Sequence, residues 1–198
     1  MSKILVIDTS SKNLYVMLLD GQKTTKMVLK DSQKQHSVLL NETIEQVLSQ
    51  AQTTLSQIDV YAVGIGVGSF TGIRVGVSVA KGYNLSTKSK FVEVNSLQTL
   101  AYTKKGCINC IADAGKGFYF AQYDGLNQIT PPTLISAEEV EGFSKLSNTV
   151  IFDSEQDYSL AIEKQVRAKV EGGLFVSTLT PLYVRRCQAE EEREASAK

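Results

Sequence analysis

The chain is poor in the residues that most enzymes use for metal or redox chemistry. Its 198 residues include no tryptophan, three cysteines and a single histidine, His36. One histidine excludes the His-x-x-x-His pair of a helical metal site. A Ser/His/Asp hydrolase would have to use His36, but the sequence has no Gly-x-Ser-x-Gly nucleophile elbow. We therefore expect no catalytic residue and no metal site, and we expect His36 to cap or pack at the start of a helix.

The cysteines are too few for a disulfide framework. Cys107 and Cys110 have the two-residue spacing of redox or zinc motifs, but zinc needs two further ligands, and Cys187 is distant. We expect reduced thiols at the start of a buried strand.

The chain also lacks an excess of either charge. Lys plus Arg and Asp plus Glu are 21 each, so the net charge is zero. A protein whose main task is binding nucleic acid would favour a basic excess. No apolar run approaches the roughly 20 residues that span a bilayer, and Asp8 interrupts the N-terminal apolar run that a signal peptide would need. We expect a soluble cytoplasmic protein without membrane contact, made of one domain or two closely fused lobes.

Glycine is concentrated in one stretch, 63–76, which holds five of the fourteen glycines. An apolar run at 60–65 predicts a buried strand, and Ser69 and Thr71 stand where a following helix would take its N-cap. Strand, glycine loop and helix start can present backbone N–H groups to an anion. The P-loop and dinucleotide patterns both fail here, because no Gly-Lys-Ser/Thr and no correctly spaced third glycine follow. A phosphate cradle and a glycine turn needed only for packing both remain open.

Apolar periodicity predicts an α/β order with antiparallel hairpins. A stripe from Leu40 to Ala51 indicates an amphipathic helix, and Val38 and Leu39 lie off that stripe and would be exposed unless covered. After the glycine loop, alternation of Ile73, Val75, Val77 and Val79 favours a strand, whereas Gly72, Gly76 and Ala80 lie four apart as on a helix. The predicted strands are 3–7, 13–20, 22–29, 60–65, 91–94, 108–113, 118–123, 133–135 and 149–152, and the other predicted helices are 36–52, one from residue 96, 137–146 and 158–170.

Five blocks together carry a resemblance to a known family. They are Met1–Ser10, His36-Ser37, Gly66–Gly76, Asp113–Tyr119 and Pro181–Arg185. The chain resembles TsaB (YeaZ), the small non-catalytic subunit of the bacterial machinery that makes threonylcarbamoyladenosine in tRNA. The resemblance is dense from about residue 3 to 124 and thin afterwards. Val67 stands where the family usually has proline, and Gly115 where it usually has arginine.

This resemblance implies a fold and a division of the chain. The fold is the duplicated ribonuclease-H-like α/β fold of the actin/Hsp70 ATPase superfamily, with two lobes of mixed sheets flanked by helices and a shortened second lobe. The lobes would cover 1–104 and 105–186, followed by a polar tail at 187–198. The resemblance also favours a helix, rather than a strand, after the glycine loop.

The resemblance further implies two sets of site residues. The weak phosphate-loop candidates are Asp8, Thr9, Ser10, Gly66, Gly68 and Ser69; the alternative for Asp8 to Ser10 is a hairpin that bonds its own backbone. The matching acid, Asp113, has no hydroxyl neighbour. The expected partner and dimer interface is formed by His36, Val38, Leu39, Leu40, Gly72, Arg74, Gly76 and Ala80.

The implied function is that of a non-catalytic subunit that binds and activates a TsaD-like threonylcarbamoyltransferase. A TsaE-like ATPase would join the complex, a homodimer would form when the chain is alone, and tRNA would bind only through the complex. The isolated chain would hold no cofactor, and ATP or ADP with Mg²⁺ would belong to the interface of the complex. The alternative is an independent ATP-binding hydrolase or kinase-like enzyme, and a third reading is a peptidase.

Overall fold

The computed structural model describes residues 2–184, and this range contains nine strands and five α-helices. The predicted polar tail at 187–198 and Arg185 lie outside the described residues. The elements are β1 Lys3–Asp8, β2 Leu14–Asp20, β3 Lys23–Leu29, α1 His36–Gln50, β4 Val60–Gly66, α2 Phe70–Thr87, β5 Lys90–Asn95, α3 Ser96–Ala101, β6 Ile108–Asp113, β7 Phe118–Asp124, β8 Asn127–Ile135, α4 Ala137–Ser144, β9 Thr149–Ile151 and α5 Ser159–Glu171.

The strands form two sheets with the same order. The first sheet runs β3-β2-β1-β4-β5 and the second β8-β7-β6-β9. In each sheet the first three strands along the chain are antiparallel neighbours, and the next strand pairs parallel with the first of them. The repeated order confirms the duplicated ribonuclease-H-like arrangement. The described part of the second sheet lacks a counterpart of β5, as expected for a shortened lobe.

The segment after the glycine loop is a helix. The Ser69 side chain caps α2 by accepting from the Gly72 N–H at 3.1 Å. Ile73, Val77 and Ala80 are buried along one side of α2. Tertiary packing at the helical period therefore outweighs the β preference of the valines.

The eighth strand is longer than the sequence predicted. We expected 133–135, but β8 begins at Asn127 and includes Pro131 and Pro132. A proline cannot donate to a ladder, but β8 is an edge strand of its sheet, where this is tolerated. The pairing with β7 shifts register next to the prolines.

Two buried clusters lie on the two faces of the first sheet. One face is covered by α1 and α2, which pack over Leu5, Ile7 and Val63. The other face, with Val6 and Met17, shares its core with α3, α5 and strands β6 and β7. The two sheets are therefore joined through one apolar cluster.

The chain returns to the first sheet after α5, along residues 174–184, which we name the return segment. Val176 donates to the Phe91 carbonyl at 3.0 Å in an antiparallel bridge, and the Leu182 N–H donates to the Ile65 carbonyl at 2.8 Å. The Thr180 N–H donates to Glu93 Oε1 at 3.0 Å. Although the predicted second lobe extends to residue 186, its last described residues pack on the first sheet.

Within the described range, no helix combines the length and the apolar character needed to cross a bilayer.

Candidate functional site

A cleft of about 590 Å³ lies between the two sheets, where β1 and β6 end. Asp8 and Asp113, the last residues of these strands and the two acids that the sequence analysis matched, both line it. Asp153 is a third carboxylate of the lining; of the described residues, Lys12 is the only lysine that lines the cleft, and no described arginine does. Of the phosphate-loop candidates, Asp8, Ser10, Gly68 and Ser69 line the cleft, whereas Thr9 and Gly66 do not.

Asp8 is almost fully buried at the edge of this cleft. It accepts a hydrogen bond from the Ser10 N–H at 2.8 Å, and a Cβ added at Gly64 would overlap its Oδ1. Burial raises the pKa of Asp8, and the bonds from Ser10 oppose this only in part. No lysine or arginine pairs with Asp8 among the described residues.

The glycine loop is packed against the turn between β1 and β2. The Ser69 N–H donates to the Ser10 carbonyl at 2.7 Å, and a Cβ added at Gly68 would overlap the same carbonyl. Gly68 has φ +149°, a backbone conformation that favours glycine. The glycine loop therefore approaches the chain's own β1–β2 turn closely. This contact supports the interpretation that these glycines are needed for packing.

Several polar groups that could contact a phosphate in this loop are already bonded within the chain. The Ser69 N–H and the Ser10 N–H each donate to an acceptor at the β1–β2 turn. The Thr9 hydroxyl donates to the Gly72 carbonyl at 2.7 Å. In the described part of the chain, no three His, Cys, Asp or Glu side chains are placed to hold a metal.

The small residues of α2 face the chain's own sheet, which corrects the expectation of a free groove. A Cβ added at Gly72 would overlap the Thr9 carbonyl, and one at Gly76 would come within 2.6 Å of the Thr9 hydroxyl. Ala80 on α2 and Leu40 on α1 are fully buried. These four residues fill the core between the helices and the sheet, so they cannot offer a surface to a partner.

His36 is also buried, with 2% of its surface exposed, and it packs at the start of α1. Neither ring nitrogen forms a hydrogen bond within the described residues. Burial lowers the pKa of His36, and the nearby backbone of Lys12 and Thr9 opposes the shift. His36 therefore packs as expected, but it does not reach the surface on which a partner would dock.

The outer side of α1 and α2 does expose apolar surface. Val38 is 74% exposed and Leu85 84% exposed, and the half-buried Leu39, Val79 and Tyr83 also belong to these helices. The Tyr83 hydroxyl donates to Asn41 Oδ1 at 2.8 Å, which ties the end of α2 to the first turns of α1. We use the name α1–α2 face for Val38, Leu39, Val79, Tyr83 and Leu85, apolar residues of the two helices that keep exposed surface. At the helical period Leu85 lies on the side of α2 that also carries Arg74, away from Val79 and Tyr83. Val38 and Leu39 of this set are predicted from the sequence, and the other three are added from their exposure.

Arg74, the remaining predicted interface residue, is exposed on α2. Its guanidinium carbon lies 3.8 Å from the centroid of the Phe70 ring. Its Nε donates to the Tyr183 hydroxyl at 3.1 Å. Tyr183 belongs to the return segment, so no local pattern could place it beside Arg74.

The two cysteines of the described range are free. Cys110 is buried in β6, and burial raises its pKa to about 12. Cys107 is exposed just before β6, so only one of the pair lies in the buried strand.

Comparison with known proteins gives one family. The family model described as TsaD, tRNA N6-adenosine threonylcarbamoyltransferase, matches residues 26–188. The TsaB proteins of Escherichia coli K12 and Bacillus subtilis 168 are 32% and 30% identical over 128 and 158 residues. These matches cover 61% and 75% of this chain but 54% and 69% of the relatives, so the chain spans about half to two thirds of their length.

The solved structure of YeaZ from Pseudomonas aeruginosa shares the fold, with a TM-score of 0.79 at 20% identity. The match covers 92% of this chain and all of that one. The match to the family model extends over more than half of the chain, and the relatives from Escherichia coli and Bacillus subtilis are both named TsaB. The chain therefore belongs to the TsaB (YeaZ) proteins, within the wider family described by the TsaD model.

Proposed function

We propose that this protein is a non-catalytic subunit in the biosynthesis of threonylcarbamoyladenosine in tRNA, and that it binds and activates a TsaD-like transferase. The relatives are named as biosynthesis proteins of this modification. The observation that carries the non-catalytic role is the packing of the glycine loop on the β1–β2 turn. The Ser69 N–H, which could meet a phosphate, donates to the Ser10 carbonyl instead.

The α1–α2 face is the proposed docking surface. Val38 and Leu85 project into solvent, and both helices are held in place by the core beneath them. Burying an exposed Val or Leu side chain gains about 1.5–3 kcal/mol. A partner that covers this face would therefore gain affinity without rearranging the fold.

The charges around this face are suited to pairing with a second copy. Glu42 and Glu45 are exposed on α1, and Arg74 and Lys81 are exposed on α2. An isologous contact in which α1 of one copy lies against α2 of the other would bring these opposite charges together. We propose that such a homodimer forms when the chain is alone, and that it competes with the transferase for the same face.

In this proposal, ATP or ADP binds with Mg²⁺ at the interface of the complex. The isolated chain binds neither the nucleotide nor the metal ion. A TsaE-like ATPase joins the complex, and tRNA is held by the complex as a whole. The zero net charge of this chain supports the last point, since few counterions would be released on contact with phosphate.

The test replaces both exposed side chains of the face by acids, Val38→Glu with Leu85→Glu. The matched control is Leu160→Glu, a substitution at a 60% exposed leucine on α5. The double variant should no longer co-purify with the TsaD-like protein of the same organism and should lose the dimer in light scattering, while the control keeps both. In a reconstituted reaction, modified tRNA measured by mass spectrometry should fall with the loss of binding.

A second measurement addresses the alternative enzyme. Titration calorimetry with ATP and a phosphate-release assay should give no binding and no turnover for the isolated chain. ATP hydrolysis that disappears in Asp8→Ala would contradict the non-catalytic role, and unchanged co-purification of the double variant would contradict the docking surface.

A further inference from the structure

Phe70, Arg74 and Tyr183 form a surface cluster at the start of α2, which we name the Arg74 cluster. The guanidinium carbon of Arg74 lies 3.8 Å from the Phe70 centroid and 5.9 Å from the Tyr183 centroid. The two rings contact each other with their centroids 5.1 Å apart. Arg74 is therefore stacked on one ring and bonded through Nε to the hydroxyl of the other.

Among the residues that the structure describes, one edge of this guanidinium has no partner. An arginine carries five N–H donors in a planar fork, and within residues 2–184 only the Nε of Arg74 has a hydrogen-bond acceptor. None of the three ion pairs in that range includes Arg74. The two Nη groups of a guanidinium can together pair bidentately with a carboxylate. Stacking also limits the freedom that Arg74 would lose on binding.

The surroundings of the free edge fit a protein partner. Phe70 is 38% exposed and Tyr183 46% exposed, so two aromatic rings flank the charge. Arginine and tyrosine dominate the residues that contribute most to protein interfaces, where apolar neighbours exclude water. A nucleic acid would need several cations that contact successive phosphates, whereas among residues 2–184 this cluster has one, and the net charge of the chain is zero.

We propose that the Arg74 cluster binds an Asp or Glu side chain of the transferase partner, through both Nη groups of Arg74. This inference rests on the proposed function and adds a charged contact to it. Arg74 and Leu85 are eleven residues apart on α2, or about 16 Å along the helix axis. The ion pair thus forms a second contact point and fixes the register in which the partner lies along α2.

The experiment measures binding of the full chain to the TsaD-like protein of the same organism by titration calorimetry, at low and at high salt. Arg74→Gln should weaken binding about tenfold or more and should reduce its salt dependence. Arg74→Lys keeps the charge without the fork and should recover only part of the affinity. The control, Lys164→Gln, removes an exposed charge from α5 and should change neither quantity.

Thermal unfolding by circular dichroism should be unchanged in Arg74→Gln, because the side chain is exposed. If that variant does not fold, Tyr183→Phe gives the same test, since it removes only the hydroxyl that holds Nε. Tyr183→Phe should weaken binding by a smaller factor than Arg74→Gln.

The possible results separate the two proposals. If the wild-type chain does not bind the transferase, the proposed function fails and this inference fails with it. If the wild type binds and Arg74→Gln binds equally well at both salt concentrations, only the inference is overturned. It is also overturned if deletion of 187–198 strengthens wild-type binding but not that of Arg74→Gln, because the occupant is then the chain's own Glu-rich tail. A variant complex that keeps its affinity but loses tRNA would assign the cluster to phosphate instead.

Discussion

Gly72 and Gly82 lie on the same helix, but their surroundings differ. A Cβ at Gly72 would overlap the Thr9 carbonyl, whereas a Cβ at Gly82 would have no atom within 4 Å. Alanine at Gly72 should therefore destabilise the protein by about 1–3 kcal/mol through overpacking. Alanine at Gly82 should stabilise it by about 0.5–1 kcal/mol, because glycine in a helix costs that much relative to alanine.

Urea unfolding of the two variants measures this difference. Each change adds one methyl group to α2, so each serves as the control for the other. Equal stabilisation by both substitutions would mean that the β1–β2 turn can move away from α2. In that case the close approach of Thr9 is not what requires glycine at Gly72.

Asp8 gives a pH-dependent prediction. Its pKa in the folded protein lies above the value of 3.8 that it has when exposed, because burial disfavours the charged form. The folded state therefore holds more protons than the unfolded state between these two pKa values, and the stability contributed by Asp8 is lost as pH rises through the folded pKa. Asp8→Asn should raise the unfolding midpoint at pH 7, since asparagine still accepts from the Ser10 N–H without a charge.

The gain from Asp8→Asn should shrink as pH falls through the folded pKa, and it should vanish below 3.8, where the wild-type carboxyl is protonated in both states. Urea unfolding at several pH values measures the gain. Asp113→Asn is the control, because Asp113 ends the matching strand and accepts from the Gly115 N–H but is exposed. A midpoint that falls at pH 7 in Asp8→Asn would show that the charged form is stabilised in the fold.

The residue scale also shows where sequence reasoning reached its limit at the site. From the sequence, Asp8, Ser10 and Gly68 are phosphate-loop candidates, and the structure places them at one cleft. The sequence could not decide between a phosphate cradle and a packed turn, because that depends on the Ser10 carbonyl, 58 positions before Gly68. Similarly, the spacing of Gly72 and Gly76 predicted a groove for a partner helix, whereas both glycines lie against Thr9 of the same chain.

At the scale of elements, local periodicity predicted most strands and helices, because their buried faces follow the periods of 2 and 3.6. The exceptions were elements whose limits depend on neighbours. β8 extends through Pro131 and Pro132 only because its outer edge is unpaired in the sheet. α2 is a helix since its buried side meets the first sheet, which the alternating valines alone did not reveal.

The sequence around the return segment has no periodic pattern that predicts where it packs. Its packing on the first sheet can be tested directly. Leu179 is 1% exposed and belongs to the cluster beneath α1 and α2, whereas Leu174 in the same segment is 49% exposed. Leu179→Ala should lower the free energy of unfolding by about 2–5 kcal/mol. Leu174→Ala should change it by no more than about 0.5 kcal/mol. Similar small effects in both variants, measured by urea unfolding, would mean that the segment is detached in solution.

At the scale of the whole molecule, the two sheets share their interior. The apolar cluster on the inner face of the first sheet contains Val6 and Met17 together with Cys110 and Ala121 of the second sheet. Polar contacts continue the connection at the surface. Asn13 Nδ2 donates to the Ser154 carbonyl at 2.8 Å, and Arg167 donates to the Gly21 carbonyl at 2.7 Å.

Because the two sheets share one apolar cluster, we expect the two lobes to unfold together in a single cooperative transition. Independent domains have separate cores and few contacts across their boundary, whereas here α5 of the second half packs on β5 of the first. Removing either half would expose the cluster that joins the sheets. Calorimetric and van't Hoff enthalpies of unfolding should therefore agree, and far-ultraviolet circular dichroism and tyrosine fluorescence should give the same midpoint.

A fragment covering 1–104 should not fold alone, because Val6 and Met17 would lose the core that covers them. Two separated transitions, or a folded fragment, would mean that the lobes are independent units and that their shared cluster contributes little to stability.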